Sequence, residues 1–149
     1  MNVRIDDVMA HSVITTNPHT TVEAVRNKMS KRKVHALPVV DADGEVAGII
    51  TSTDLARPDL KDGTPVSAVM TERVFCLPRY NDASAAATVM RKHRIHHVVV
   101  THEKQVVGIL SAFDLLQLVE GRKFVAKNKG GGKKRDKGKK RGKANKAEA

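Results

Sequence analysis

Two four-residue stretches carry the chemistry this sequence offers, Thr51-Ser52-Thr53-Asp54 and Ser111-Ala112-Phe113-Asp114. In each, a hydroxyl is followed three positions later by a carboxylate, and an apolar run (Gly48-Ile49-Ile50; Gly108-Ile109-Leu110) leads into it. An apolar run ending in a hydroxyl residue reads as a strand passing into a helix. The first turn of a helix leaves backbone N–H groups without intrahelical partners, and these together with a hydroxyl suit a phosphate. A carboxylate about one turn further on can accept hydrogen bonds from both hydroxyls of a ribose. Thr51, Ser52, Thr53 and Ser111 are therefore candidate phosphate contacts, and Asp54 and Asp114 candidate ribose contacts. The same spacing is also an ordinary helix-capping arrangement.

Other reactive groupings are absent from the sequence pattern. His93, His96 and His97 cluster, but a helix-to-strand junction falls among them and no Cys or acid joins them at ligand spacing, so no metal site is expected. They read as surface or cleft histidines; alternatively, His96 and His97 sense pH or touch phosphate. Cys76 sits on an expected strand as a small apolar residue. No Ser or Cys is paired with a positioned base. The chain is read as a non-enzyme that requires no cofactor.

The elements that position the two corners form an internal repeat of about sixty residues. A shift of 61 superposes Val8-Met9 on Val69-Met70, Val13 on Val74, Met29 on Met90 and His35 on His96; beyond the hairpin a shift of 60 superposes Gly48 on Gly108 and Asp54 on Asp114. The one-residue change falls in a turn, Asp41-Ala42-Asp43-Gly44 in one copy and Thr101-His102-Glu103-Lys104 in the other. Each unit reads as a short extended piece (Val13–Thr16; Val74–Leu77) and a helix capped by Thr21 or Asp82. A hairpin of two apolar strands and a second helix near Thr53 or Phe113 complete it. Residues 57–65 read as a linker. Neither unit is large enough to close a core alone. The expected fold is therefore α/β, two β-α-β-β-α units packed as one pseudo-twofold disc.

With the corners and the repeat in place, the sequence resembles the tandem CBS-motif family, the Bateman module, over roughly residues 3–124. Asp7-Val8-Met9, Val69-Met70-Thr71, Leu37-Pro38-Val39-Val40-Asp41 and the two Gly-led corner segments carry the resemblance. It implies CBS motif 1 over 1–60, a linker at 61–65 and CBS motif 2 over 66–124. It further implies an adenine nucleotide in the cleft between units and a homodimer. The adenine would lie beside Ile14, Thr16, Phe75 and Leu77, with Ala36-Leu37-Pro38 or His97-Val98. The residue before the Asp is often basic in the family; here it is Thr53 or Phe113, which points to AMP or ADP rather than ATP. Lys31-Arg32-Lys33 and Arg91-Lys92-His93-Arg94 either replace that charge or are solvated helix ends.

Charge is segregated. Residues 1–120 hold 14 basic and 14 acidic side chains, whereas residues 121–149 hold 13 basic and two acidic ones, so the whole net charge of +11 lies at the C-terminus. Residues 125–149 have almost nothing apolar and are expected to be disordered. Lys133-Lys134-Arg135 and Lys139-Lys140-Arg141 suit a polyanion, RNA or the ribosome first and DNA next, with an acidic protein, a membrane surface or simple solubility as alternatives. One cysteine, no apolar leader and no membrane span read as a cytoplasmic protein. The leading functional reading is a regulatory adenine-nucleotide sensor. One alternative is a nucleic-acid- or ribosome-associated protein that uses the pair as a dimerisation scaffold. Another is a regulatory subunit of a separate enzyme or transporter.

Overall fold

The computed structural model describes residues 2–11 and 13–126. The basic runs Lys133-Lys134-Arg135 and Lys139-Lys140-Arg141 lie outside them, so the expectations for the tail are not addressed by the fold.

Caps define the helices. After a single turn α1 (Ile5–Val8), α2 (Val22–Arg32) begins where Thr21 Oγ1 accepts a hydrogen bond from the Ala24 N–H at 3.2 Å. It ends at Lys33, in the left-handed region at φ 54°. β1 (Ala36–Val40) and β2 (Val46–Thr51) follow as an antiparallel hairpin. The second unit repeats the order: β3 (Cys76–Pro78), α3 (Ala83–His93), β4 (His97–His102), β5 (Gln105–Ser111) and α4 (Ala112–Leu115). Asp82 caps α3 by accepting from the Ser84 N–H at 2.8 Å, and Arg94 ends it at φ 52°. Val22, Val25 and Met29 of α2, and Ala83, Ala86 and Met90 of α3, are the buried residues that the helical spacing selects. The two-unit α/β architecture is the expected one.

Three local differences from expectation have physical causes. The first extended piece is a strand only in the second unit, where β3 runs parallel to β4. In the first unit Thr16 alone bridges Val39. There the Thr16 N–H donates to the Pro38 carbonyl at 3.0 Å and the Val40 N–H to the Thr16 carbonyl at 2.8 Å. The next rung needs a donor at position 38, which proline lacks. Its counterpart, Val99, donates to the Phe75 carbonyl at 3.0 Å, so the ladder continues there. The helix expected near Thr53 is one tight turn, Asp54–Ala56, because Pro58 holds Arg57 extended (ψ 126°). The second hairpin closes on Glu103 and Lys104, both at positive φ (50° and 66°), the geometry that matches strand twist in a two-residue loop.

The units exchange their lead-in segments. Ile5, Val8 and Met9 pack with Ala83, Ala86, Met90, Val98, Val100 and Leu110 of the second unit. Val66 and Val69 pack with α2, β1 and β2 of the first. A third apolar layer of Ala36, Ile49 and Val99, with Cys76 and Ile109 against it, joins the two sheets. Burial there raises the Cys76 thiol pKa above its ordinary value.

The repeated Met and Gly positions are explained by this exchange. A Cβ on Gly48 would stand 2.7 Å from Met70 Sδ and 3.0 Å from the Thr71 carbonyl oxygen; on Gly108 it would stand 2.8 Å from Met9 Sδ. Each lead-in methionine lies over the strand glycine of the other unit. Gly48→Val is expected to destabilise the fold by about 1–3 kcal/mol through overpacking, read as a lowered urea midpoint at unchanged m-value. An unchanged midpoint would show that the contact is slack.

Candidate functional site

Strand ends and helix ends converge on one side of the disc, and two clefts open there. The first, of about 440 Å³, sets the corner Thr51-Ser52-Thr53 against Phe75 and the α3–β4 junction Arg94–His97. The second, of about 590 Å³, sets Ser111–Asp114 against Ala10 and the α2–β1 junction Lys33–Ala36. These are one arrangement made twice. Under the shift of 61, Ala10 corresponds to Thr71, Lys33 to Arg94, His35 to His96 and Ala36 to His97. Each cleft therefore takes its corner from one unit and its junction from the other.

Both corners are internally braced. Asp54 Oδ2 accepts from the Thr51 N–H at 2.9 Å and the Thr51 hydroxyl at 3.0 Å, and the Thr71 hydroxyl lies 3.5 Å from Oδ1. Asp114 Oδ2 accepts from the Ser111 N–H at 2.8 Å, and the Asp114 N–H donates to Ser111 Oγ at 3.0 Å. At the second corner this is a capping box on α4, whereas at the first the Thr51–Asp54 pair braces the corner and the turn Asp54–Ala56 has no side-chain cap of its own. Among the described residues Asp114 Oδ1 has no protein donor, and Asp114 faces the second cleft. Asp54 is turned onto its own corner and does not line the first.

The junctions bring positive charge. Arg73 and Arg94 line the first cleft and Lys33 the second. Phe75 stacks on His93, with ring centroids 4.1 Å apart, and Arg73 Cζ lies 5.7 Å from the Phe75 centroid. Such a face-on cation is held by the ring quadrupole. His97 is held below the usual imidazole range, first by burial and then by neighbouring His96 and His35, while Asp114 pulls the other way.

Of the residues singled out in the sequence, Thr51, Ser52, Thr53, Phe75, Ala36, His97, Ser111 and Asp114 line a cleft. Leu37 and Val98, equivalent under the repeat, instead belong to the two packed cores at 1% and 0% exposure. Strand alternation is the reason: Ala36 and Val99 face the layer between the sheets, so Leu37 and Val98 face the helices. Pro38 and Thr16 are also buried, and Ile14 and Leu77 pack against the cores. Phe113 does not fill the second cleft; it is 79% exposed at its rim. Thr71, Arg73 and His35 were not anticipated. Thr71 and Arg73 reach the first cleft only because the lead-in crosses to the other unit.

The CBS-domain family model matches residues 5–60 and 66–121. The chain belongs to the CBS-domain family. This CBS pair is 32% identical over 116 residues to a CBS domain-containing protein of Bacillus subtilis, spanning 74% of this chain and 81% of that protein. It is 38% identical over 109 residues, 71% of this chain, to the inosine-5'-monophosphate dehydrogenase of Halobacterium salinarum. The chain spans only 22% of that enzyme and 24% of an L-aspartate semialdehyde sulfurtransferase of Methanocaldococcus jannaschii. Among solved structures it is similar to a CBS domain pair in complex with 5-methylthioadenosine and S-adenosyl-L-methionine. That likeness has a TM-score of 0.77 at 27% identity and covers 83% of this chain and 100% of the other. No helix among the described residues is long and apolar enough to cross a membrane.

Proposed function

We propose that this CBS pair is a regulatory, non-catalytic module that binds an adenine nucleotide, AMP or ADP in preference to ATP, in the clefts between its motifs. The observation that carries this reading is the twice-built pairing of a hydroxyl-and-amide corner with a cationic junction. The cleft volumes lie in the range usual for small-ligand sites. In the second cleft the Ser111 hydroxyl and the α4 amides meet the phosphate, and Asp114 accepts from the ribose. In the first, Thr51, Ser52 and Thr53 meet the phosphate, and Arg94 supplies charge. Uncharged Thr53 and Phe113 leave each corner short of the cation that a triphosphate needs.

An adenosine-containing ligand in a similar CBS pair supports the adenine assignment. Exposed Phe113, Leu116 and Val119, at 79%, 56% and 45%, suit burial in a homodimer. We place the protein in the cytoplasm, its basic tail on a polyanion such as RNA, and the motif boundary at 61–65. Isothermal titration of the full chain with AMP, ADP, ATP, 5-methylthioadenosine and S-adenosylmethionine tests the reading. AMP and ADP should bind most tightly and ATP at least several-fold more weakly. No heat with any of the five removes the sensor function.

A further inference from the structure

Three histidines belong to neither cleft alone. His35, His96 and His97 line both, so that they form the wall between them. His35 comes from the α2–β1 junction, and His96 and His97 from the α3–β4 junction; the repeat places His35 and His96 at equivalent positions. We infer that His35, His96 and His97 are the specificity residues of this shared wall, taking up a proton when an anionic adenine nucleotide enters and so favouring AMP over uncharged adenosine and cationic S-adenosylmethionine. The inference rests on the proposed ligand class and adds to it the reading of ligand charge.

The surroundings of the wall set the direction. The first cleft presents Arg73 and Arg94, and the second presents Lys33. α4 contributes the Asp114 carboxylate, and His93 at the end of α3 is engaged with Phe75. The Asp54 carboxylate is held within its own corner. Ser52 Oγ lies 3.4 Å from His35 Nδ1. Three cationic side chains and one carboxylate therefore face the clefts beside the wall. His97 titrates below its ordinary value of 6.5, first because it is buried and then because His96 and His35 lie beside it, with Asp114 acting in the opposite sense.

A base depressed in the fold contributes stability above its unfolded pKa, and that stability is lost as pH falls through the window below about 6.5. A phosphate within about 4–6 Å has the opposite effect, because it favours the imidazolium. Binding of an anion is then coupled to proton uptake, and its affinity rises as pH falls. Uncharged adenosine lacks this coupling, and a sulfonium opposes it.

The test is titration of the full chain with AMP at pH 6.5 and 7.5, each in two non-phosphate buffers of unlike ionisation enthalpy, alongside H35Q/H96Q/H97Q. Comparison with the variant cancels protons taken up by AMP itself. Wild-type protein should take up about 0.5–1 proton more per AMP than the variant, and its affinity should gain about 3- to 10-fold over the variant's between pH 7.5 and 6.5. If the triple variant does not fold, H35Q and H96Q, at exposed positions, should each remove part of the uptake. H19Q, remote from both clefts, should remove none. Equal proton uptake by wild type and wall variants overturns the inference while leaving nucleotide binding intact. Absence of AMP binding at both pH values overturns both.

Discussion

Asp114→Ala is expected to weaken AMP binding by about 10- to 100-fold, the loss of a charge-assisted hydrogen bond being worth about 1.5–3 kcal/mol. The carboxylate lies at the second cleft with Oδ2 committed to the Ser111 N–H and Oδ1 available to a ribose. Its removal also takes away one half of the capping box of α4, the bond accepted from the Ser111 N–H, at a cost of about 1 kcal/mol, while Ser111 Oγ still accepts from the backbone N–H of residue 114. Asp114→Asn separates the two effects: its carbonyl oxygen still accepts from Ser111, so stability should be largely kept while affinity falls to an intermediate value. Asp54→Ala should lose stability by a similar amount with a smaller loss of affinity, because Asp54 does not line the first cleft. Calorimetric titration and urea melts on the three variants give both quantities. Wild-type affinity in Asp114→Ala would exclude the second cleft as the nucleotide site.

Ile5→Ala is expected to destabilise the fold by about 2–5 kcal/mol, a large share of the roughly 5–15 kcal/mol that holds a domain folded. The fifth residue of a chain usually tolerates truncation. Here Ile5 is 0% exposed inside the core of the second unit. Its N–H donates to the Asn81 carbonyl at 2.9 Å. Val3 accepts from the Ala83 N–H at 2.7 Å, and Asp6 pairs with Arg79 at 3.0 Å. The lead-in is therefore fastened at three points to a unit more than seventy residues away in sequence. Val125→Ala, at a position 95% exposed, should stay within about 0.5 kcal/mol and serves as the control. A loss below about 1 kcal/mol for Ile5→Ala would mean that the exchanged segment is peripheral.

Elements with local causes were legible in the sequence. Thr21 and Asp82 announce their helices because a cap acts within three residues. The apolar runs ending at Thr51 and Ser111 announce strands because burial on both faces leaves no polar alternation. Pro38 and Pro58 show where local pattern is overruled: one removes a ladder donor and the other unwinds a helix after a single turn. The site was legible at its corners and less so at its walls. The family resemblance puts Leu37 and Val98 beside the adenine, but which face of a strand a residue takes depends on the partner sheet. Thr71, Arg73 and the shared use of His35 depend on lead-ins crossing between units, a long-range arrangement that no spacing encodes.

The hairpin tips bear on how occupancy could be transmitted. Gln105 Nε2 donates to the Asp43 carbonyl at 3.0 Å and the Val106 N–H to the Gly44 carbonyl at 3.4 Å, so the two tips are tied together at the end of the strands away from the clefts. Strands of six residues rise about 3.3 Å per residue, which sets the clefts about 20 Å from that tie. A rotation of about 3° about that tie would move the strand ends at the clefts by about 1 Å, and the packed layer of Ala36, Ile49 and Val99 would have to follow it. A guest held in the clefts would thus act on the outline of the whole disc through that layer, without any strand having to break.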